Sequence, residues 1–399
     1  MKIKALHIED FKGLANVEIT KFDSNLNLLI GINGSGKSSV LDAIALLLSS
    51  FTARLTTSGS KGNVIPVESV RRDSRRGCLL KLTLDNDVSW SKYKTKKMDK
   101  KDESDYSELN EFTSKTRHQL DEGQQICVPI IVHYGVRRSV TEIPLKFPNA
   151  GTSLPTATYK DWLDSKASYR DIFPWIRAEE DYENEMRVEN SNARDRGLEA
   201  LRDAMRRVFP EYTDLKVRRK PHQEVVLKKN GEELPLSLLS DGEKCYIALV
   251  CDIVRRLSLA NPSGEILDGE GVVLIDEVDL HLHPSWEQTI MEKLHTTFKN
   301  IQFIVSAHSP LVASHFNGQI FAVSNGTVTP LPRLFGLDYS TILQDWMSTT
   351  PSNKKLNSML ELYYAYKENN MEEQAKQVWQ KIVAAFDGDT SAPFIQKIK

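Results

Sequence analysis

Gly31-Ile-Asn-Gly-Ser-Gly-Lys-Ser38 is the stretch on which the reading of this chain turns. It completes the phosphate-binding pattern G-x-x-x-x-G-K-[ST], with an additional glycine at position 34. Before it, Leu26-Asn-Leu-Leu-Ile30 reads as a buried strand. After it, Val40-Leu-Asp-Ala-Ile-Ala-Leu-Leu-Leu48 sets apolar residues at 40, 41, 44, 47 and 48 on one helix face. A glycine-rich turn between strand and helix lets backbone N–H groups approach phosphate oxygens, and the helix N-terminus points positive charge at the same anion. Asn33, Gly34, Ser35, Gly36, Lys37, Ser38 and Ser39 are therefore the expected phosphate-contacting positions. Lys37 would reach the β- and γ-phosphates, and Ser38 would ligate Mg²⁺.

At 399 residues the chain should hold more than one core, because single cores rarely grow past about 250–300 residues. Its composition is that of a globular protein, 27% charged with a net charge of −2, so any DNA contact must come from local basic patches. No apolar run approaches the roughly 18–20 residues of a membrane span, and Met1-Lys-Ile-Lys4 leads into a strand. Cys78, Cys127, Cys245 and Cys251 show no C-x-x-C spacing, and the last two fall in an apolar helical pattern as core thiols. A reduced, cytoplasmic protein is the expectation.

Strands are predicted at Ile3–Ile8 and Asn16–Ile19, with Lys12 between them either a turn residue or a phosphate contact. From about 50 to 125 the chain reads as polar and turn-rich, with a hairpin from Leu79–Leu84 and Val88–Trp90. Two basic clusters flank that hairpin, Arg71-Arg72 with Arg75-Arg76, and Lys92–Lys101. The second runs into Asp102, Glu103 and Asp105 and reads as a solvated loop or disordered tip, with contact to a DNA backbone as the alternative role for these charges. Val128-Pro-Ile-Ile-Val-His133 is a buried strand ending in Tyr134-Gly-Val-Arg-Arg138, whose arginines would make surface ion pairs or touch phosphate. Residues 141–175, with four prolines, read as an irregular insertion, and from about Asp161 to Arg207 the chain is charged and mostly helical. Leu215–Lys220 and Glu224–Lys229 are strand-like, with a tight turn at Asn230-Gly231.

Three later stretches carry chemistry, and each has a purely structural reading beside it. Ser240-Asp-Gly-Glu243 opens a long apolar helix and is a capping box. Gly271-Val-Val-Leu-Ile-Asp-Glu277 is a buried strand ending in two carboxylates, at the edge where open α/β sheets bind ligands. There one carboxylate can hold Mg²⁺ while the next activates water. The His281-Leu-His283 pair that follows lacks further ligands at a recognised spacing. Ile301-Gln-Phe-Ile-Val-Ser-Ala307 is another buried strand, with His308 at its end. Ile320–Val323 and Val328–Leu331 form a hairpin around Asn325-Gly326, and from Tyr339 onward the chain is helical, with Tyr363, Tyr364, Tyr366 and Trp379 on its amphipathic segments.

Taken in order, a phosphate loop, a Leu239–Glu243 element, an apolar-Asp-Glu strand and a strand ending in histidine resemble an ABC-type ATPase. Ile8-Glu-Asp-Phe-Lys-Gly13 and Asp276-Glu-Val-Asp-Leu-His-Leu-His-Pro284 narrow the resemblance to the RecF/SMC-like branch, over most of 1–50 and 235–325. The resemblance implies an α/β head that clamps ATP and Mg²⁺ in a head-to-tail homodimer. One chain would supply its phosphate loop, and the other Ser240, Gly242 and Glu243. Asp276 would then support Mg²⁺, Glu277 would be the general base, Asp279 would belong to the loop coupling the sites, and His308 would sense the γ-phosphate. Val278 stands where the family often has proline, and the metal-bridging glutamine stays unassigned, since Gln124 and Gln125 precede their strand.

The expected division is an N-terminal ATPase lobe at 1–140, an irregular and helical insertion at 141–210, a C-terminal ATPase lobe at 211–335 and a helical tail at 336–399. So short an insertion excludes long coiled-coil arms. Size, the Tyr134-Gly-Val-Arg137 element and the helical tail look most like the compact, Septu PtuA-like ATPases of bacterial anti-phage systems. That resemblance implies regulation of a separate HNH-type nuclease, and no Toprim-like or HNH-like pattern appears in this chain. The alternatives are a RecF-type repair ATPase acting directly on DNA and a nucleotide-stabilised scaffold.

Overall fold

Three strands lead to the glycine-rich loop: β1 (Ile3–Phe11), β2 (Leu14–Ile19) and β3 (Leu26–Ile30). The computed structural model describes residues 1–57, 59–96, 104–136, 138, 154–163, 165–221, 224–347 and 354–385. β1 and β2 interleave buried and exposed positions, whereas all five residues of β3 are buried. That is the difference between a strand covered on one face and one covered on both. Helix α1 (Lys37–Thr56) follows the loop and packs on both a first, antiparallel sheet and the main sheet. By length and composition α1 would suffice to cross a membrane, contrary to the sequence expectation that no run is so long. Its apolar window is 67% buried inside the protein, because a helix between two sheets needs apolar residues nearly all round.

The first sheet has the order β2-β1-β4-β5, with β4 (Gly77–Leu84) and β5 (Ser89–Thr95) forming the expected hairpin. Trp90 fixes it to α1 by donating its indole N–H to the Leu47 carbonyl at 3.0 Å. Two expectations fail here. The stretch read as turn-rich contains α2 (Ser107–Asp121), a helix that buries only Leu109 and Thr113 and so shows little apolar periodicity. Lys92, read as part of a solvated run, is buried, and its ammonium donates to Ser49 Oγ and the Asn63 carbonyl. Residues 97–101 of that run lie outside the described residues.

The main sheet has the order β13-β12-β3-β11-β10-β6 and is parallel except for β13. Its strands are β6 (Ile130–Tyr134), β10 (Gly271–Ile275), β11 (Ile301–Ala307), β12 (Gln319–Ser324) and β13 (Thr327–Leu331), together with β3. The hairpin β12–β13 turns at Asn325-Gly326, both at positive φ. Short helices α6 (Pro284–Glu287), α7 (Ile290–Thr297) and α8 (Pro310–His315) connect the later strands. Gln302 of β11 joins this sheet to β1: its side-chain oxygen accepts from the Ile3 N–H at 2.7 Å, and its amide donates to the Ile3 and Asp23 carbonyls.

Between β6 and β10 in the chain lie α3 (Ser165–Glu189), α4 (Arg196–Val208), α5 (Asp241–Ala260) and a third sheet, β7-β8-β9. Its strands are β7 (Tyr212–Arg218), β8 (Glu224–Lys229) and β9 (Glu232–Pro235), with the tight turn at Asn230-Gly231 as expected. Contrary to the irregular reading of 141–175, α3 runs helical through Pro174, while 139–153 lie outside the described residues. α5 is locked by a buried network: Asp252 accepts from Tyr134, Arg255 and Arg256 at 2.8 Å each. Burial alone would push the Asp252 carboxyl up, but the two guanidiniums hold it below its ordinary value.

The contacts divide the chain into Met1–Leu337 and Asp338–Lys399. Within the second unit are α9 (Tyr339–Asp345), α10 (Lys354–Glu368) and α11 (Glu372–Ala384). α10 and α11 pair as a hairpin in which Tyr363 stacks on Trp379 at 5.3 Å, so these aromatics pack within the chain.

Candidate active site

Parallel pairing brings the ends of β3, β11, β10 and β6 to one sheet edge. There the chain places the glycine-rich loop, His308, Asp276-Glu277 and the residues after Tyr134. Gly31 must be glycine, because a Cβ there would fall 2.3 Å from the Val323 carbonyl oxygen at φ +153°. Asn33, Gly34 and Ser38 are exposed, Ser35, Gly36 and Ser39 are half-buried, and Ser38 and Ser39 lie in the first turn of α1. Lys37 is buried, and its ammonium donates to the Gly31 and Ile32 carbonyls at 2.8 and 3.0 Å. Burial lowers its pKa, and Asp276, Glu277 and Asp279 act against that.

Ser306, two residues before His308, ties the two carboxylate residues together. Its hydroxyl donates to Asp276 Oδ1 at 2.5 Å and accepts from the Glu277 N–H at 2.7 Å. Glu277 adopts a left-handed backbone (φ +50°), and its carboxylate lies 3.7 Å from His308 Nε2. The other ring nitrogen, Nδ1, lies 3.4 Å from the Lys37 ammonium. The ring therefore stands between the two groups, with Nδ1 toward Lys37 and Nε2 toward the Glu277 carboxylate. The His308 N–H donates to Asp279 Oδ2 at 3.0 Å. Val278, which stands where the family often has proline, uses its N–H on the Ser306 carbonyl at 2.8 Å, a bond that proline could not make.

Ser240, Gly242 and Glu243 stand at the N-terminus of α5. The capping box forms as read: Ser240 Oγ accepts from the Glu243 N–H, and Glu243 accepts from the Ser240 N–H at 2.8 Å. Ser240 is exposed, and Gly242 is packed so tightly that a Cβ would sit 2.1 Å from the His281 carbonyl oxygen. The Glu243 carboxylate also receives Tyr212 Oη and Lys229 Nζ, both from the third sheet. Burial would raise its pKa, but Lys229, Tyr212 and Ser240 together bring it down to about 2. Glu243 is thus committed to holding the cap.

Several basic residues are used internally. Lys12 occupies the β1–β2 turn and pairs with Asp42 of α1 at 2.5 Å. Arg218 pairs with Glu224 and Glu233, and Arg219 with Asp181, so these charges are spent on neighbours. Of the two arginines expected at the surface or on phosphate, Arg137 lies outside the described residues and Arg138 is in the interior. It is fully buried, and its guanidinium donates to the Asp276 and Glu277 carbonyls. Gln124 and Gln125 sit before the N-terminal end of β6, away from this edge. Sequence reasoning noticed Arg138 but expected it at the surface, and it missed Ser306, whose signal was a hydroxyl inside an otherwise apolar strand.

The set fits a magnesium–nucleotide triphosphate. Ser35 Oγ is a buried polar atom without a partner inside the loop, and a Cβ at Gly34 would meet open space. Among the described residues no cluster of three or more His, Cys, Asp or Glu could hold a metal alone. Mg²⁺ takes one or two carboxylates and completes its shell with phosphates and water, and Asp276 with the Ser38 hydroxyl would be its protein ligands here.

Residues 2–328 match the family described as the RecF/RecN/SMC N-terminal domain. The chain belongs to that family. The fold is accordingly that of an SMC/RecF-like ABC ATPase head. Within it the chain is 30% identical over 381 residues to the retron Vc95 probable ATPase of Vibrio cholerae serotype O1 biovar El Tor, covering 82% of this chain and 74% of that one. It is 29% identical over 437 residues to the retron Ec83 probable ATPase of Escherichia coli, covering 91% and 79%. It is also 28% identical over 315 residues to the Septu protein PtuA of Bacillus mycoides strain KBAB4, covering 77% of this chain and 38% of that longer one.

Proposed function

We propose that this RecF/SMC-like chain hydrolyses ATP with Mg²⁺, closes its site by head-to-tail dimerisation, and controls a separate HNH-type nuclease in anti-phage defence. The observation that carries the enzymatic part is the convergence of Lys37, Asp276, Glu277 and His308 on one sheet edge, where Ser306 ties the two carboxylate residues and His308 stands between Glu277 and Lys37. The defence setting rests on likeness to the retron probable ATPases and to Septu PtuA.

In this reading Asn33–Ser39 wrap the phosphates, and Lys37 exchanges its loop carbonyls for the β- and γ-oxygens. Ser38 and Asp276 hold Mg²⁺, which when bound neutralises charge on the transferring phosphoryl group. Glu277 accepts the proton of the attacking water, with His308 beside it at the γ-phosphate. Ser240 and Gly242, on an exposed helix N-terminus, meet the γ-phosphate of the partner chain, with Glu243 fixing the cap.

Substituting Glu277→Gln tests the reading. Hydrolysis is expected to fall about a hundredfold or more, ATP binding to persist, and an ATP-dependent dimer to accumulate in size-exclusion chromatography with light scattering. Unchanged turnover removes Glu277 from the base role, and full defence activity in that variant favours the scaffold reading. A pull-down after co-expression with the genomic neighbours tests the partner. A co-purifying nuclease supports its control by ATP, whereas a lone ATPase that retains DNA favours the repair reading.

A further inference from the structure

We infer that Arg138 is a positioning residue for hydrolysis: together with Tyr246 it holds the backbone of Asp276, Glu277 and Val278 in the turn that aims the Glu277 carboxylate. The inference rests on Glu277 acting as the base.

The turn begins where β10 leaves the sheet, and its backbone groups are tied on both sides. The N–H groups of Asp276, Glu277 and Val278 donate to the Tyr134 carbonyl, Ser306 Oγ and the Ser306 carbonyl. The three carbonyls take side-chain donors: Asp276 and Glu277 from the two terminal nitrogens of Arg138, and Val278 from Tyr246 Oη. Both donor side chains are fully buried. A planar guanidinium can serve two successive carbonyls at once, which a lysine ammonium cannot do with the same geometry. Burying that charge is costly unless it is hydrogen-bonded, so its placement on these two oxygens is specific.

The object so held is strained. Glu277 has φ +50°, a region that a side chain bearing a Cβ visits at a cost and keeps only when its surroundings over-determine it. Relaxing it would swing the carboxylate away from His308 Nε2, 3.7 Å distant. The clamp also spans elements. Arg138 follows β6, and Tyr246 lies on α5, the helix whose N-terminus carries Ser240. The Cys245 thiol beside Tyr246 donates to the Arg138 carbonyl at 3.7 Å. The helix that would meet the partner's nucleotide is therefore in direct contact with the residues that set Glu277.

The test is a double-mutant cycle in the full chain, read by single-turnover hydrolysis followed for hours and by fluorescent-ATP binding. Arg138→Lys is expected to lower kcat about ten- to a hundredfold, with nucleotide affinity unchanged within about twofold. Tyr246→Phe, which removes a single hydroxyl, is expected to do the same more mildly. In a Glu277→Gln background neither change should slow turnover further, because positioning a base that is absent has no value. An equal fold-loss in both backgrounds, or a loss confined to nucleotide affinity, overturns the positioning role while leaving the ATPase reading intact. Normal turnover in Glu277→Gln alone overturns both. Should Arg138→Lys fail to fold, Tyr246→Phe carries the same cycle.

Discussion

At the scale of single residues, the environment decides what a charge does. Lys92 was legible as a basic residue in a mixed-charge run, but its buried place in the middle of β5 reverses the expected role. Burial, with Arg54 nearby, pushes its ammonium down to about 7 from an ordinary 10.5. In the unfolded chain Lys92 keeps its proton up to about 10.5, so between 7 and 10.5 the unfolded state binds more protons and stability rises with pH. Below 7 the full penalty applies. Lys92→Met is therefore expected to stabilise the protein at pH 7 by about 1–2 kcal/mol, after the lost hydrogen bonds to Ser49 and Asn63 are counted. Thermal melts at pH 7 and 9.5 check this, and an advantage that does not shrink at the higher pH would contradict it.

Among the secondary-structure elements, local signals and tertiary ones separate cleanly. The strands β3, β10 and β11 were legible because continuous branched apolar runs leave few alternatives, and the α5 cap because Ser240 and Glu243 lie three residues apart. α2 was not legible, since a helix that buries two positions has almost no periodicity to detect. α3 was obscured by Pro174, which three-dimensional packing tolerates and a propensity reading does not. The partners of the Asp276-Glu277 pair were invisible for a simpler reason. Ser306 lies 30 residues from Asp276 and Arg138 lies 138 residues away, so no spacing in the chain announces them. The link between α5 and the third sheet through Glu243 is of the same kind, and pH exposes it. A carboxyl at about 2, instead of the ordinary 4.5, stabilises the fold fully above 4.5 and loses that contribution as pH falls toward 2. Glu243→Gln should cost about 1–2 kcal/mol at pH 7, discounted for solvent screening, with the gap to wild type closing below pH 4. Denaturant titrations at pH 7 and 3 measure it; a gap that stays constant would assign the loss to packing instead.

For the whole molecule, the feature with the widest reach is the position of β3 between β11 and β12. Gln302 adds a second tie of the same span, since its side chain binds the backbone of Ile3. Considered in the order of synthesis, the glycine-rich loop leaves the ribosome early, but both neighbours of the strand that supports it come after residue 300. Until then β3 would present two unpaired edges made of buried-type residues, the pattern that invites misassociation. A fragment ending at residue 140 is therefore expected to be insoluble, whereas the chain through Leu337 should give soluble, nucleotide-binding protein, as sedimentation of the two products would show. Nascent chains stalled between those lengths would be natural clients of holding chaperones. Nucleotide binding would then act as a checkpoint on completed synthesis, available only to chains whose β11 and β12 are already in place.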